Sequence, residues 1–321
     1  MTGIHDVLDP AGPQAAALYH LWNVMLVACA VVFALTMVAL VIALWRAPRA
    51  TEKTTPELDP PPKKESALRR SVGYGIAGSS VLLFALLLAS FFADRTLSAL
   101  PLEGAIHIDL VGHQFWWEAR YEPHDPALTF STANELHVPV GRPVLVRLRA
   151  SDVIHSFWVP SLAGKKDLIP GRESIIAFRA DQPGVFRGQC AEFCGYQHAH
   201  MALFVVADTP ADYDHWLAAQ RQPAPAPVTA QQRRGLELVE RTSCALCHAI
   251  EGTRAQGRRA PDLTHLASRA WLGAGTLPNT PEARAEWIAH PQKYKPGVNM
   301  PALDAAPEDR AAISAYLGSL R

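Results

Sequence analysis

Two thiols, an imidazole and a thioether crowd one short stretch of this chain: Cys190, Cys194, His198 and Met201 in QCAEFCGYQHAHM, with Glu192 between the cysteines. Thiolate, thioether and imidazole are soft or borderline ligands suited to copper. Cysteines four residues apart could bridge a pair of metal ions, leaving His198 and Met201 to end on one copper each. His200 competes with His198 for that place, and spacing alone does not separate them. The second copper needs another imidazole, which His155 in SDVIHSFWVP offers from a different strand. The plainer readings are a Cys190–Cys194 disulfide and a packed core histidine beside Phe157 and Trp158. The clustering of donors outweighs both.

A second chemical signal lies further on. Cys244, Cys247 and His248 in SCALCHAI form the CxxCH pattern to which c-type haem is covalently attached. His248 would be the proximal axial ligand, and a distal one must come from later in the chain. Met300 in KPGVNMPAL is the candidate, because it sits in a Pro/Gly-rich loop and not on an apolar helix face. His265 and His290 are the weaker options. Cys29, alone in an apolar run, reads as a small filler.

These donors need elements to hold them. Val24 to Leu44 and Ser71 to Ala93 contain no charged side chain. At a rise of ~1.5 Å per residue, either run can cross a hydrocarbon core ~30 Å thick, giving helices over about 20–45 and 71–94. The loop between them carries Arg46, Arg49, Lys53, Lys63, Lys64, Arg69 and Arg70. Such a loop stays in the cytoplasm, so both termini and everything after Asp94 are expected outside. No Lys or Arg occurs before the first run, which removes the basic start of a secretory signal.

From about Ala105 to Val206 the pattern changes to short alternating strands, as in Val144, Val146 and Leu148 against Leu145, Arg147 and Arg149, which indicates an all-β sandwich or barrel. A short helix over Pro210 to Ala219 closes it. QPAPAPV, residues 222–228, disfavours helix and central strand and reads as a linker. Helical patterns then cover Ala230–Arg241, Pro281–His290 and Pro307–Leu320. The expected division is 1–100 for a tail and helical hairpin, 101–221 for the sandwich and 229–321 for an all-α domain. Lys+Arg equals Asp+Glu at 30 each, which gives no argument for a nucleic-acid partner.

The two metal motifs resemble subunit II of haem-copper oxidases, whose copper loop reads CxExCxxxHxxM and whose upstream ligand sits in DVxHSxxVP. GHQFWWEARY (Gly112 to Tyr121) is similar to that family's aromatic segment, and KKDLIPGR (Lys165 to Arg172) to the segment before the copper loop. The tail resembles class I cytochromes c, as in the caa3-type oxidases. The resemblance implies a multidomain protein: a two-helix transmembrane hairpin, an all-β cupredoxin-like sandwich and an all-α cytochrome c domain. It implies a dinuclear CuA centre with Cys190 and Cys194 bridging, His155 and His198 terminal, Met201 on one copper and the Glu192 carbonyl on the other. It also places the Glu192 side chain beside a magnesium or manganese site shared with subunit I.

Implied partners are subunits I and III, a cytochrome c or bc1-type donor and the bilayer of a bacterial plasma membrane. The expected role is an electron relay into subunit I, where oxygen is reduced and protons are pumped. Two other readings are an electron-accepting subunit of a nitric oxide reductase and a free membrane-anchored electron-transfer protein. The chain departs from the family twice. Where the family has Trp directly after GHQ, the place associated with electrons from docked cytochrome c, it has Phe115, followed by Trp116 and Trp117. A tethered haem is therefore expected to use a different contact. No acid lies in residues 66–93 to feed a proton channel, and Glu65 is not assigned that role.

Overall fold

The computed structural model describes residues 5–47, 62–97, 100–121 and 128–321. Two helices, α1 (Pro13–Arg46) and α2 (Pro62–Leu97), are long and apolar enough to cross a membrane. Most of both falls in a unit of its own, residues 17–99. Each outruns its charge-free stretch, because helical hydrogen bonding continues past the last apolar side chain and proline suits a first turn. Cys29 is exposed on α1, and Glu65 stands in the first turn of α2. Arg49 and Lys53 of the expected cytoplasmic loop lie outside the described residues.

Residues 1–16 and 100–321 form the other compact unit. The segment ahead of α1 is stitched into it: the Ala11 N–H donates to the Ser161 carbonyl at 2.7 Å, and the Ala11 carbonyl accepts from the Asp181 N–H at 2.8 Å. Its strands begin with β1 (Ile106–His113), β2 (Trp116–Tyr121), β3 (Phe130–Ala133), β4 (Glu135–Pro139) and β5 (Val144–Ala150). They continue with β6 (His155–Phe157), β7 (Lys166–Leu168), β8 (Ser174–Phe178), β9 (Gly184–Gln189) and β10 (Ala202–Asp208).

One sheet runs β3-β2-β1-β5-β8 and the other β4-β10-β9, with β6 and β7 paired beside them. Val144, Val146 and Leu148 of β5 point inward while Leu145 and Arg147 are less buried, the alternation a half-buried strand requires. Trp117, Phe157, Phe178 and Leu203 fill the core between the sheets. β1 comes so close to His155 that a Cβ on Gly112 would lie 2.8 Å from the imidazole Cδ2.

After the sandwich, α3 (Pro210–Gln220) is capped by Thr209, whose hydroxyl accepts from the Asp212 N–H. Residues 222–228 are irregular, and the Ala224 N–H donates to the Glu251 carbonyl at 3.3 Å. α4 (Ala230–Arg241) opens on a capping box between Thr229 and Gln232. It is followed by the single turn α5 (Cys244–Cys247), then α6 (Pro281–Ala289), α7 (Pro291–Tyr294) and α8 (Pro307–Leu317). α8 stops short of Leu320 because the Ser319 hydroxyl and N–H both turn back to the Tyr316 carbonyl. α4 crosses α8 at Gly235, where a Cβ would meet the Ala312 carbonyl oxygen at 2.1 Å. This helical region has its own core, including Val239, Ile288, Ile313 and Tyr316.

Candidate copper loop and haem cavity

The thiolate loop joins β9 to β10, and the antiparallel ladder between those strands closes it. Cys190 follows the last residue of β9 and Met201 precedes the first of β10, so the Cys190 N–H donates to the Met201 carbonyl at 3.0 Å. The Ala191 N–H donates to the Ser156 carbonyl, tying the loop to β6 beside His155. The predicted donors converge. Cys190 Sγ and Cys194 Sγ are 3.8 Å apart and unbonded. His155 Nδ1 stands 3.9 Å from Cys190 Sγ, His198 Nδ1 3.7 Å from Cys194 Sγ, and Met201 Sδ 3.8 Å from Cys194 Sγ. The Glu192 carbonyl is 3.2 Å from Cys190 Sγ. Of the two competing imidazoles, His198 faces the thiols, whereas His200 is exposed.

The floor of the loop is Trp117, fully buried, with its ring tilted against His155 and edge-on to Phe157. The thiols titrate as a pair. Their sulfur–sulfur contact, helped by His155, lowers Cys190, and the same contact raises Cys194. A metal ion bound at the pair would take the place of the remaining thiol proton. Among the described residues, the ligand atoms of His155, Cys190 and Cys194 all lie within 4.8 Å of one another. A soft, buried, sulfur-rich set of this kind fits copper.

Sequence reasoning missed Asp152. Its Oδ1 accepts from His155 Nε2 at 2.8 Å, which leaves Nδ1 facing the thiols. Its Oδ2 accepts from the Gln114 N–H at 2.7 Å, and the Gln114 side-chain amide donates to the Cys194 carbonyl at 2.6 Å. DVxH spacing could have flagged Asp152 as an orienting carboxylate; nothing local marks Gln114.

In the helical region, Cys244, Cys247, His248 and Met300 line one cavity of about 580 Å³. His248 Nδ1 donates to the Pro261 carbonyl at 2.7 Å, leaving Nε2 for iron. Burial lowers the His248 pKa, which favours the neutral, ligating imidazole. The Met300 loop is gathered by Gln292, whose amide donates to the Val298 and Met300 carbonyls and accepts from the Gly297 N–H. His265 and His290 are not on the cavity wall; His265 Nε2 is bound to the Gln222 carbonyl at 3.0 Å. Apolar walls, two free thiols and paired axial candidates fit a covalent haem.

The cavity is not lined by helical residues alone. His113, Gln114, Phe115 and Trp116, at the β1–β2 turn of the sandwich, form part of its wall. Around that contact, Lys295 Nζ donates to the Phe115 carbonyl at 2.9 Å and the Gly273 carbonyl at 3.1 Å. Burial pushes the Lys295 pKa down to about 7. The Ala202 N–H donates to the Ala274 carbonyl, the Ala270 N–H to Glu135 Oε2, and Phe204 stacks on Trp271 at 5.4 Å.

An apolar helical hairpin, a cupredoxin-like sandwich with a thiolate loop and a helical cytochrome c region together define a membrane-anchored protein with a candidate copper loop and a candidate haem cavity. The family model for the periplasmic domain of cytochrome c oxidase subunit II matches residues 124–208, and that for cytochrome c matches residues 232–321. Cytochrome c oxidase subunit 2 of Alkalihalophilus pseudofirmus is 33% identical over 98% of this chain and 90% of its own length. That of Bacillus sp. strain PS3 is 32% identical over 68% of this chain and 63% of the relative. Among solved structures, the periplasmic domain of subunit II of cytochrome oxidase from Bradyrhizobium japonicum is 30% identical, with a TM-score of 0.34, covering 36% of this chain and 93% of that one. The chain belongs to the cytochrome c oxidase subunit 2 family, in the form that carries a C-terminal cytochrome c domain.

Proposed function

We propose that this chain accepts one electron at a time from a reduced cytochrome c or bc1-type complex and relays it to oxidase subunit I. Oxygen is reduced to water there, coupled to proton translocation, so this chain carries no oxygen chemistry of its own. Bound haem c and a dinuclear copper centre supply the one-electron redox chemistry. Cys190 and Cys194 would bridge the coppers, with His155, His198, Met201 and the Glu192 carbonyl completing the set. Cys244 and Cys247 would hold the haem, with His248 and Met300 as axial ligands.

The protein's work is to hold these donors still. The β9–β10 ladder clamps both ends of the copper loop. Asp152 orients His155, and the Pro261 carbonyl orients His248. Donors that need not move between redox states keep reorganisation small. The Glu192 side chain, half-buried beside the loop, is suited to a magnesium or manganese ion shared with subunit I. Subunit III completes the complex, and both metal domains face the periplasm or outer surface of a bacterial plasma membrane.

The observation that carries this reading is the convergence of two thiols, two imidazoles and a thioether on one buried point. Electron paramagnetic resonance of the full chain, matured with haem and loaded with copper, tests it. Hyperfine splitting from two equivalent coppers beside a low-spin haem is expected. A single-copper spectrum in folded protein would sink the dinuclear assignment.

A further inference from the structure

Two side chains outside both donor sets join the haem cavity to the copper loop. Gln114 lines the cavity. Its side chain donates to the Cys194 carbonyl, and its backbone N–H donates to the carboxylate that holds His155. One residue thus reaches both a thiol-bearing residue and an imidazole of the copper set through short hydrogen bonds.

Lys295 approaches from the helical side. It is 2% exposed, and its ammonium grips the carbonyl of Phe115, the next residue after Gln114, together with that of Gly273. Burying an ammonium against neutral carbonyls is costly, and this one is buried where the two modules meet. The Phe115 ring packs into the sandwich core, so Lys295 reads the Phe115 backbone and not its ring.

We propose that Gln114 is the positioning residue that couples the haem cavity to the copper loop, and that Lys295 fixes it there by locking the cytochrome module onto the sandwich. The inference rests on the relay reading. The transfer it serves moves one electron from ferrous haem, which becomes ferric, to the oxidised copper pair, which gains it. No bond is made or broken and no proton is carried.

The test uses the full chain in detergent, loaded with haem and copper. The haem is reduced by a light-triggered reductant, and its reoxidation by copper is timed in parent, Gln114→Leu and Lys295→Met. Both variants should slow this step at least about tenfold, the scale on which small misplacements act. Haem potential and two-copper hyperfine pattern should match the parent. In Lys295→Met, amide exchange at Ala202 and Ala270 should also rise about tenfold, as expected for loss of a charged hydrogen bond, even in copper-free protein. Should Lys295→Met fail to fold, Gln114→Leu decides alone. Unchanged rates overturn the inference, as does slowing that comes with an altered potential or hyperfine pattern, since the residue would then act on the ligands. A parent chain whose haem never reduces its copper overturns the relay itself.

Discussion

In the sandwich each candidate side-chain copper donor already stands within 3.9 Å of a thiol sulfur of the loop, and backbone hydrogen bonds close the loop. In the helical region the haem candidates instead line a cavity of about 580 Å³, and Cys244, Trp287, Met300 and Leu303 are only partly buried against the local core. The first site is finished by its own chain. The second is a cavity whose wall the two cysteines and both axial candidates share. The difference predicts that copper would add little to the sandwich's fold, whereas haem would contribute to the core of the helical region.

The largest test of that contrast removes each cofactor in turn. Cys244→Ser with Cys247→Ser abolishes haem attachment and leaves the cavity unfilled. At ~24 cal/mol per Å³, a cavity of about 580 Å³ would cost up to on the order of 14 kcal/mol, as much as a typical domain's whole stability of about 5–15 kcal/mol. Helical circular dichroism should fall at ambient temperature. Chelating copper should leave the near-ultraviolet signal of buried Trp117 in place. A sandwich that melts on chelation as readily as the helices do on haem loss would erase the distinction.

A smaller pair of changes sharpens it. Gly235→Ala forces a methyl onto a backbone carbonyl, so α4 and α8 must separate, at about 2–3 kcal/mol in urea unfolding. Gly112→Ala presses instead on the buried His155 side chain, which must give by a few tenths of an ångström. Its cost should be nearer about 1 kcal/mol, with a changed copper hyperfine pattern as the clearer readout.

The smallest effect concerns pH and centres on the sandwich, at a histidine whose partner Glu135 also accepts from the Ala270 N–H of the helical region. Burial of His137 works against its charge, but hydrogen bonds to Asp208 at 2.6 Å and Glu135 at 3.3 Å outweigh that and raise its pKa. Its contribution to stability is complete below the unfolded value of about 6.5, and it fades as pH rises through the higher folded value. His137→Gln should flatten this decline in thermal unfolding followed across pH. An unchanged slope would remove His137 from the account.

Much of this molecule is legible in its sequence, for reasons that differ by residue. Cys190, Cys194, His198 and Met201 lie in one loop, and Cys244, Cys247 and His248 in one turn, so spacing carries their geometry. β5 declares itself by alternation. Asp152, Gln114, Gln292 and Lys295 are different, because their partners include carbonyls or backbone amides that only topology brings near. A carbonyl has no residue type, so no motif records it. The choice between His198 and His200 needed the loop's path, and the full lengths of α1 and α2 needed backbone hydrogen bonding, which polarity does not report.

The segment ahead of α1 also dictates an order of biosynthesis. The Asp6 carbonyl accepts from the Ser161 hydroxyl, 155 positions further along the chain, and Ala11 sits between Ser161 and Asp181. That seam can form only if the tail crosses to the same side of the bilayer as the sandwich, which an even number of spans guarantees. Residues 6–11 therefore dock only on segments made much later. Fastening of this segment is thus finished late, since a chain stalled before β8 would hold Ala11 at Ser161 but lack the Asp181 N–H that completes the seam.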